Sequence, residues 1–598
     1  LVITIEIPEN GIERIEAYND GLLVENTLTW KIPGLSGNGD MVSVSFDTVA
    51  NGEEQYLVFN SYQASAAEWP DPVSGPTIYT FIGSSVPVWA IQGTAFRSPY
   101  VMDKLTTSGV VTGVFPELLG FWIQSSDTDD NPLTSEGLFI KTNEIDLDVK
   151  PGDFIEVGGI VHESHQETQL HIENTADIEV IDSGYELPGA IELDPPIDEV
   201  ESAVYYEALE GMLVQVSDTA LCVSPTNKYG EASLVLAYHD IARLWQGQQN
   251  GIAIMIDDGR SITHSDQSTM NFTLVTGDEI SGILGPLAYN YGNYKIEPIT
   301  SPAIKSKDYE APQLPMLKED EFSLMTWNVE NLFDYNEPHP SDLAMPNLRS
   351  YKLDLAKIAN TIIAAGVPTI IALQEVENLG ILEDLAEHEL LIEYDFQSVL
   401  IEGTDSRGID VGYLVRGDQA RIIDVQQHPA PEGITSRPPL LIEVEIQTTS
   451  NPVSLFVINN HFTSMSGGEE ATEPRRIAQA SWNAIIVEEI LSKNPDGYLA
   501  VAGDLNSYIE SPPIDTLRAA GLIHVFEELP RKDSYTYIYQ GISQTLDHIL
   551  ITPSLMGLLE TVEVLHVNAD FPPPLPEDES ASHKSDHDPV ITIFQWTE

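Results

Sequence analysis

"YLAVAGDLNSYIES", residues 498–511, is an apolar run fit for a buried strand that ends abruptly in Gly503, Asp504 and Asn506. A buried strand gains nothing from a carboxylate and a carboxamide at its tip, since unpartnered polar groups are costly to desolvate. Side chains alternate along a strand, so Asp504 and Asn506 emerge on the same side. Two short polar groups held there read as ligands for something at the mouth of a sheet.

The pattern recurs through the C-terminal half. "MTWNVEN" ends in Asn328 and Glu330, "IIALQEVEN" in Gln374 and Glu375, and "FVINNHF" in Asn460 and His461. "TLDHILIT" opens with Asp547, and "SDHDPV" opens with Asp586 and His587. One such ending is usually structural; the recurring set offers carboxylates, amides and two histidines, more than strand capping needs. In between, "LDLAKIANTIIAAG" places Leu355, Ile358 and Ile362 on one helical face, with Gly366 and Pro368 as stop signals. "RRIAQASWNAIIVEEIL" reads as a long amphipathic helix, and Tyr535, Tyr537 and Tyr539 alternate as in a strand. Strands outnumber helices, which predicts an α/β sandwich of two packed sheets with helices outside over residues 322–598.

Carboxylates such as Glu375 and Glu330 suit a hard cation, Mg2+, Mn2+ or Ca2+, whereas zinc would call for cysteines or His-rich spacing. Amides such as Asn328 and Asn506 contact phosphate oxygens without adding negative charge. Histidines beside a metal serve as proton donor and phosphate clamp, each typically worth about 10²–10⁴-fold. A carboxylate such as Asp504 orients and deprotonates a water. Metal-assisted hydrolysis of a phosphate ester uses every part.

At 598 residues the chain is too long for one core. Ninety-four acidic against 27 basic residues give -67, a surface that repels nucleic acid and anionic membranes at low ionic strength. Salt, with a Debye length of about 8 Å under physiological conditions, and divalent cations soften this. The charge reads first as a solubility adaptation to salty or cation-rich surroundings, and second as a taste for cationic partners. Cys222 is the single cysteine, so no intramolecular disulfide forms. No apolar stretch approaches the ~20 residues of a membrane span. The opening "LVITIEIPE" reads as a strand and not as a signal peptide, the pattern expected of a processed or trimmed chain.

Residues 1–87 predict a β-rich module of unassigned role. Residues 88–182 carry five short strands with Gly-bearing turns, which suggests an OB-like barrel. Arg97, Lys104, Lys141 and Lys150 face seventeen acidic residues there, so a spacer or docking role is preferred to a nucleic-acid groove. Residues 183–300 read as a second OB-like β module and residues 301–321 as a linker. In "SSDTDDN" (125–131), Asp127, Asp129 and Asp130 are candidates for a structural calcium, with a solvated hairpin tip the preferred reading.

In order, "TWNVENL", "LQEVEN", "NNHF", "GDLNS", "LDHIL" and "SDHDPV" closely resemble the endonuclease/exonuclease/phosphatase superfamily, whose DNase I-like members share a four-layer α/β sandwich. The nearest likeness within it is to large secreted bacterial nucleases with OB-like modules, and it covers residues 88–598. The resemblance implies a metal site at Glu375, buttressed by Asn328 and Glu330, with Asp586 near it. It implies that His461 protonates the leaving oxygen, Asp504 positions the attacking water and Asn506 holds the phosphate. His587 acts with Asp547, although members assign acid and base duties in either order. Asn328, Arg407, Asn506 and His587 are the expected phosphate contacts; Asp410, Arg475 and Arg476 are further candidates beside their readings as ordinary loop and helix-surface residues. The implied protein is a secreted or cell-surface nuclease of DNA, and of RNA as a second substrate, using Mg2+ or Mn2+ with Ca2+ as the alternative. Two other readings stay open: a phosphodiesterase or phosphatase of phospholipid or inositol phosphate, and a non-catalytic matrix or adhesion protein. No feature marks an obligate protein partner.

Overall fold

The structure is a computed structural model. It describes the chain apart from residues 9–11, 19, 34–41, 43, 51–54, 60–61, 67–68, 76–77, 83–84, 130, 144–147, 337–344, 432, 450–451 and 597–598.

Residues 322–598 form the expected sandwich. One six-stranded sheet runs in the order Phe396–Leu400, Asp410–Arg416, Ile370–Val376, Glu321–Leu332, Val590–Gln595 and Leu559–Val564. The other runs Ala420–Gln427, Leu440–Ile446, Val453–His461, Tyr498–Asp504, Asp547–Ile551 and Ile523–His524. Both faces of each sheet are covered, so the central strands are buried along most of their length and largely apolar rather than strictly alternating with polar residues. Leu324, Ile370, Val457, Ala502 and Ile549 fill the layer between the sheets. Their neighbours Met325 and Ile371 pack beneath the helix Leu348–Ala364, while Val501 and Leu550 pack beneath Glu469–Lys493. Leu355, Ile358 and Ile362 face the first of these cores as their spacing predicts. The Asn347 side chain caps that helix, and Gly366 ends it at φ 75.

Among the described residues of 1–87 all regular structure is β, including a five-stranded sheet around Leu28 and Trp30. Next, the strands Lys104–Phe115, Gly120–Gln124, Gly137–Lys141, Glu167–His171 and Asp153–Ser164 pair in a ring, because Lys104–Phe115 also pairs with Asp153–Ser164. The barrel so closed is plugged by a short helix, Val88–Gln92, whose residues are all buried; the sequence reading had no helix there.

The second module is β-rich as well. Its strands run in one nine-stranded order from Ile191–Glu192 to Ala303–Lys305, and the two end strands do not pair among the described residues. Glu279–Ser281 and Ile283–Asn290 are separated by Gly282 alone, and this one bent segment pairs with Asn293–Ile296 at one end and with Ala220–Ser224 at the other, so the run Asn293–Ile296, Ile254–Ile256, Ala232–Leu236 and Ala220–Ser224 leads back to it around a shared apolar core. The linker is shorter than expected. Ala303–Lys305 is an edge strand on Glu279–Ser281, and Leu314 N–H donates to Ala364 O at 2.7 Å. In the acidic hairpin, Asp129 accepts hydrogen bonds from Asn131 N and Thr134 Oγ1, as a turn residue does; Asp130 lies outside the described residues. Among the described residues no helix is long and apolar enough to cross a membrane.

Candidate active site

The alternation that fills the layer between the sheets also builds the site. Counting in steps of two from Leu324, Val457, Ala502 and Ile549 leads to Asn328, His461, Asp504 and Asp547. All four are buried at the same end of the sandwich, where the apolar layer stops. Parallel pairing sets His461 beside Asp504, and antiparallel pairing sets Asp504 opposite Asp547.

Glu375 is out of step: Ile370, Ala372 and Gln374 share the inner face, and Glu375 would point towards the helices. A register shift between Gln374 and Val376, with Glu375 at φ 66, turns its carboxylate into the cleft. Glu330 and Asn506 also have left-handed backbones, at φ 49 and φ 44. Strain of this kind persists where surrounding structure holds it, commonly at functional sites.

These side chains are connected. Asn328 Nδ2 donates to Asp504 Oδ2 at 3.0 Å and lies 3.4 Å from Glu375 Oε1, while Glu375 Oε2 accepts Asn331 N–H at 2.8 Å. Asn506 donates to both Asp504 oxygens, from its backbone at 2.9 Å and its side chain at 3.0 Å. His461 Nε2 lies 3.4 Å from Asp504 Oδ2 and 3.7 Å from Glu375 Oε1. His587 Nδ1 meets Asp547 Oδ2 at 2.7 Å, and its ring packs on Tyr537 with centroids 4.7 Å apart. Arg407 Nη2 stands 3.6 Å from Glu375 Oε1.

Burial and charge split the titrating groups. Burial depresses the proton affinity of His587, yet the charge and hydrogen bond of Asp547, with Asp504 and Asp586 behind, lift it well above the ordinary histidine value. Burial, then the positive charges of Arg437 and Arg407, push His461 well below it. Burial lifts Asp504 to about 7 despite the nearby His587 charge. Glu330 is raised chiefly by the charge of Asp586.

The donor set fits a hard divalent cation. Asp504, Asp547 and His587 offer ligand atoms all within 4.8 Å of one another. Asp547 Oδ1 is buried with no hydrogen-bond partner, and cation charge would relieve the crowding of carboxylates. Of the metal ligands expected from sequence, Glu375 and Asn328 join this network directly. Asp586 and Glu330 sit at its rim: Asp586 Oδ1 is 3.9 Å from His587 Nε2, and Glu330 Oε1 is 3.7 Å from Lys228 Nζ.

Other candidates do other work. Asp410 accepts Gly403 N–H at 2.8 Å, and burial lifts it to about 6. Arg475 donates to Ile434 O, while Arg476 bonds Thr472 Oγ1 and Glu469 O near the start of its own helix. Asn460 points away from the cleft and accepts from Asn483 Nδ2.

Sequence reasoning missed three supports. Arg437 ties the backbone of His461 and Phe462 to Asp405. Ser585 Oγ donates to Asn328 O and accepts His587 N–H, joining the Asn328 strand to the loop that carries His587. Tyr537 backs the His587 ring. Only Ser585 had a local signal, standing beside Asp586 in "SDHDPV".

No curated protein matches the chain. Among solved structures, a humanized D. rerio TDP2 is similar at 15% identity and a TM-score of 0.34, over 46% of this chain and 100% of that one. The human Nocturnin catalytic domain with bound sulfate anion is similar at 15% identity and a TM-score of 0.34, over 47% and 96%. An endonuclease/exonuclease/phosphatase family protein from Bacteroides thetaiotaomicron reaches 16% and 0.34, over 47% and 100%. Residues 175–308 match a domain of unknown function (DUF8508), across the boundaries expected near 182 and 300. Residues 323–578 match the endonuclease/exonuclease/phosphatase family, and with the ordered motifs and the sandwich that carries them, this part of the chain is a domain of that family.

Proposed function

We propose that residues 322–598 hydrolyse phosphodiester bonds of DNA, and of RNA as a second substrate, with Mg2+ or Mn2+, and that the chain acts outside the cell or at its surface. Ca2+ is the alternative cation. The observation that carries the reading is the buried convergence of Asn328, Glu375, His461, Asp504, Asn506, Asp547 and His587 from both sheets. In this reading Glu375 and Asn328 hold the cation beside Asp504, and Asp586 and Glu330 act at the rim. The bound cation would neutralise the carboxylates and polarise a phosphate oxygen.

The protein's own groups supply the rest. Asp504 orients the attacking water and takes its proton, and Asn506 and Arg407 hold phosphate oxygens. As the phosphorus–oxygen bond breaks, a proton passes to the leaving oxygen. The sequence reading gave that proton to His461; the high proton affinity of His587, held by Asp547, supports giving the duty to His587, with neutral His461 as a hydrogen-bond donor. The strand order of the barrel supports an OB-type module. Its acidic surface supports a spacer or docking role.

The test is incubation with circular plasmid, linear DNA, RNA and sphingomyelin, each with Mg2+, Ca2+ or EDTA. Nicked plasmid with Mg2+ and none with EDTA is expected; turnover of sphingomyelin alone, or cleavage undiminished in EDTA, would overturn the reading.

A further inference from the structure

The unit at 175–308 is fastened to the catalytic domain beside the site. Leu244–Trp245 pairs with Ile542–Ser543, extending the hairpin that carries Tyr537. The Arg243 guanidinium lies 3.7 Å from the Tyr535 ring centre and pairs with Asp570 at 2.9 Å. Thr276 N–H donates to Asp570 O, and Gln267 N–H to Pro574 O.

From this fixed unit one turn reaches the cleft. Asn227 organises it, its side chain accepting the N–H groups of Tyr229 and Glu231 and its carbonyl accepting Gly230 N–H. Gly230 has φ 86, and a Cβ there would lie 2.4 Å from Asp258 Oδ1, so the turn has little room to shift. His264 N–H holds the Lys228 carbonyl at 2.7 Å. Lys228 is thereby presented 3.7 Å from Glu330, which also feels the charges of Asp586 and Lys584, and Asp586 is itself 3.9 Å from His587. The Lys228 side chain keeps 52% of its exposure, and its neighbour Tyr229 is also exposed. With 27 basic residues in 598, a cation brought from another unit to the rim of an acidic catalytic cleft stands out.

We propose that Lys228 binds a phosphate flanking the scissile one, so that the 175–308 unit is part of the substrate site and favours a polyanion with successive phosphates. This rests on the nuclease reading above. Removing one phosphate contact weakens binding at all sequences alike and flattens the salt dependence by about one unit of log–log slope.

The experiment uses the full chain with Mg2+ and a 30-mer oligonucleotide, measuring kcat, KM and the dependence of KM on NaCl. Lys228→Ala should raise KM by roughly three- to tenfold and Lys228→Glu by more, with the salt slope reduced by about one, while Lys228→Arg should restore both. Lys305→Glu makes the same charge change on an exposed strand of the same unit, so it should match wild type. If wild type cleaves but the Lys228 variants share its KM and salt slope, or lose only melting temperature, the inference fails and the nuclease reading stands. If wild type cleaves neither the oligonucleotide nor bis(4-nitrophenyl) phosphate, the nuclease reading fails and takes the inference with it.

Discussion

Gly503 lies between Ala502, in the apolar layer, and Asp504, in the cleft. Its φ is 135, and a Cβ would fall 1.9 Å from the Asn460 carbonyl oxygen on the parallel neighbour. Gly503→Ala should therefore part the strands that bring His461 and Asp504 together and cost about 2–4 kcal/mol, read as a lower melting temperature. Asp547→Asn tests the His587 pair: a loss of about 10²–10⁴-fold in kcat on plasmid DNA is expected, and near-wild-type turnover would remove the pair from the chemistry. At this scale Asn328, His461, Asp504 and Asp547 were legible because strand alternation is a local rule. The aim of Glu375 was not, since its positive φ is held by contacts with Asn331 and Asn328 from another strand. Arg437 and Tyr537 were invisible for a similar reason: each reaches the site from a chain segment distant in sequence.

Between elements, the sheets are joined by hydrogen bonds as well as by apolar packing. Asn459 Nδ2 donates to Leu373 O at 3.0 Å and Gly412 O at 2.9 Å, and its Oδ1 accepts from Gln374 Nε2 at 2.7 Å. All of these groups are buried, and Asn459→Ala would strand them at a cost of about 2–3 kcal/mol. Chemical denaturation should show the loss, and Asn459→Ala should also slow turnover because His461 lies two residues along the same strand. The helices and central strands of the sandwich were readable from period and caps. The plug helix Val88–Gln92 was not: five buried residues are too few to show a helical period.

Across the molecule, buried acids join the barrel to the next unit. Glu167 accepts Tyr289 N–H and Glu210 accepts Thr168 N–H, and burial lifts Glu167 to about 7 and Glu210 further. In the folded chain these carboxyls hold protons that the unfolded chain gives up near its ordinary value of 4.5, so stability falls as pH rises from there through about 7. Glu167→Gln should be nearly neutral at pH 4 and stabilising at pH 8, by at most about 3 kcal/mol; urea unfolding at both values checks the sign. A β-rich N-terminal part followed by a sandwich was legible from texture. The docking between them was not, because Arg243 and Asp570 lie far apart in sequence and carry no local mark. Leu244–Trp245 supplies the outer strand of the very hairpin that backs His587. A gene rearrangement that broke the chain at the linker would leave that hairpin with a bare edge, prone to sticking to its own kind. The catalytic domain and the unit before it are therefore expected to be inherited as a pair.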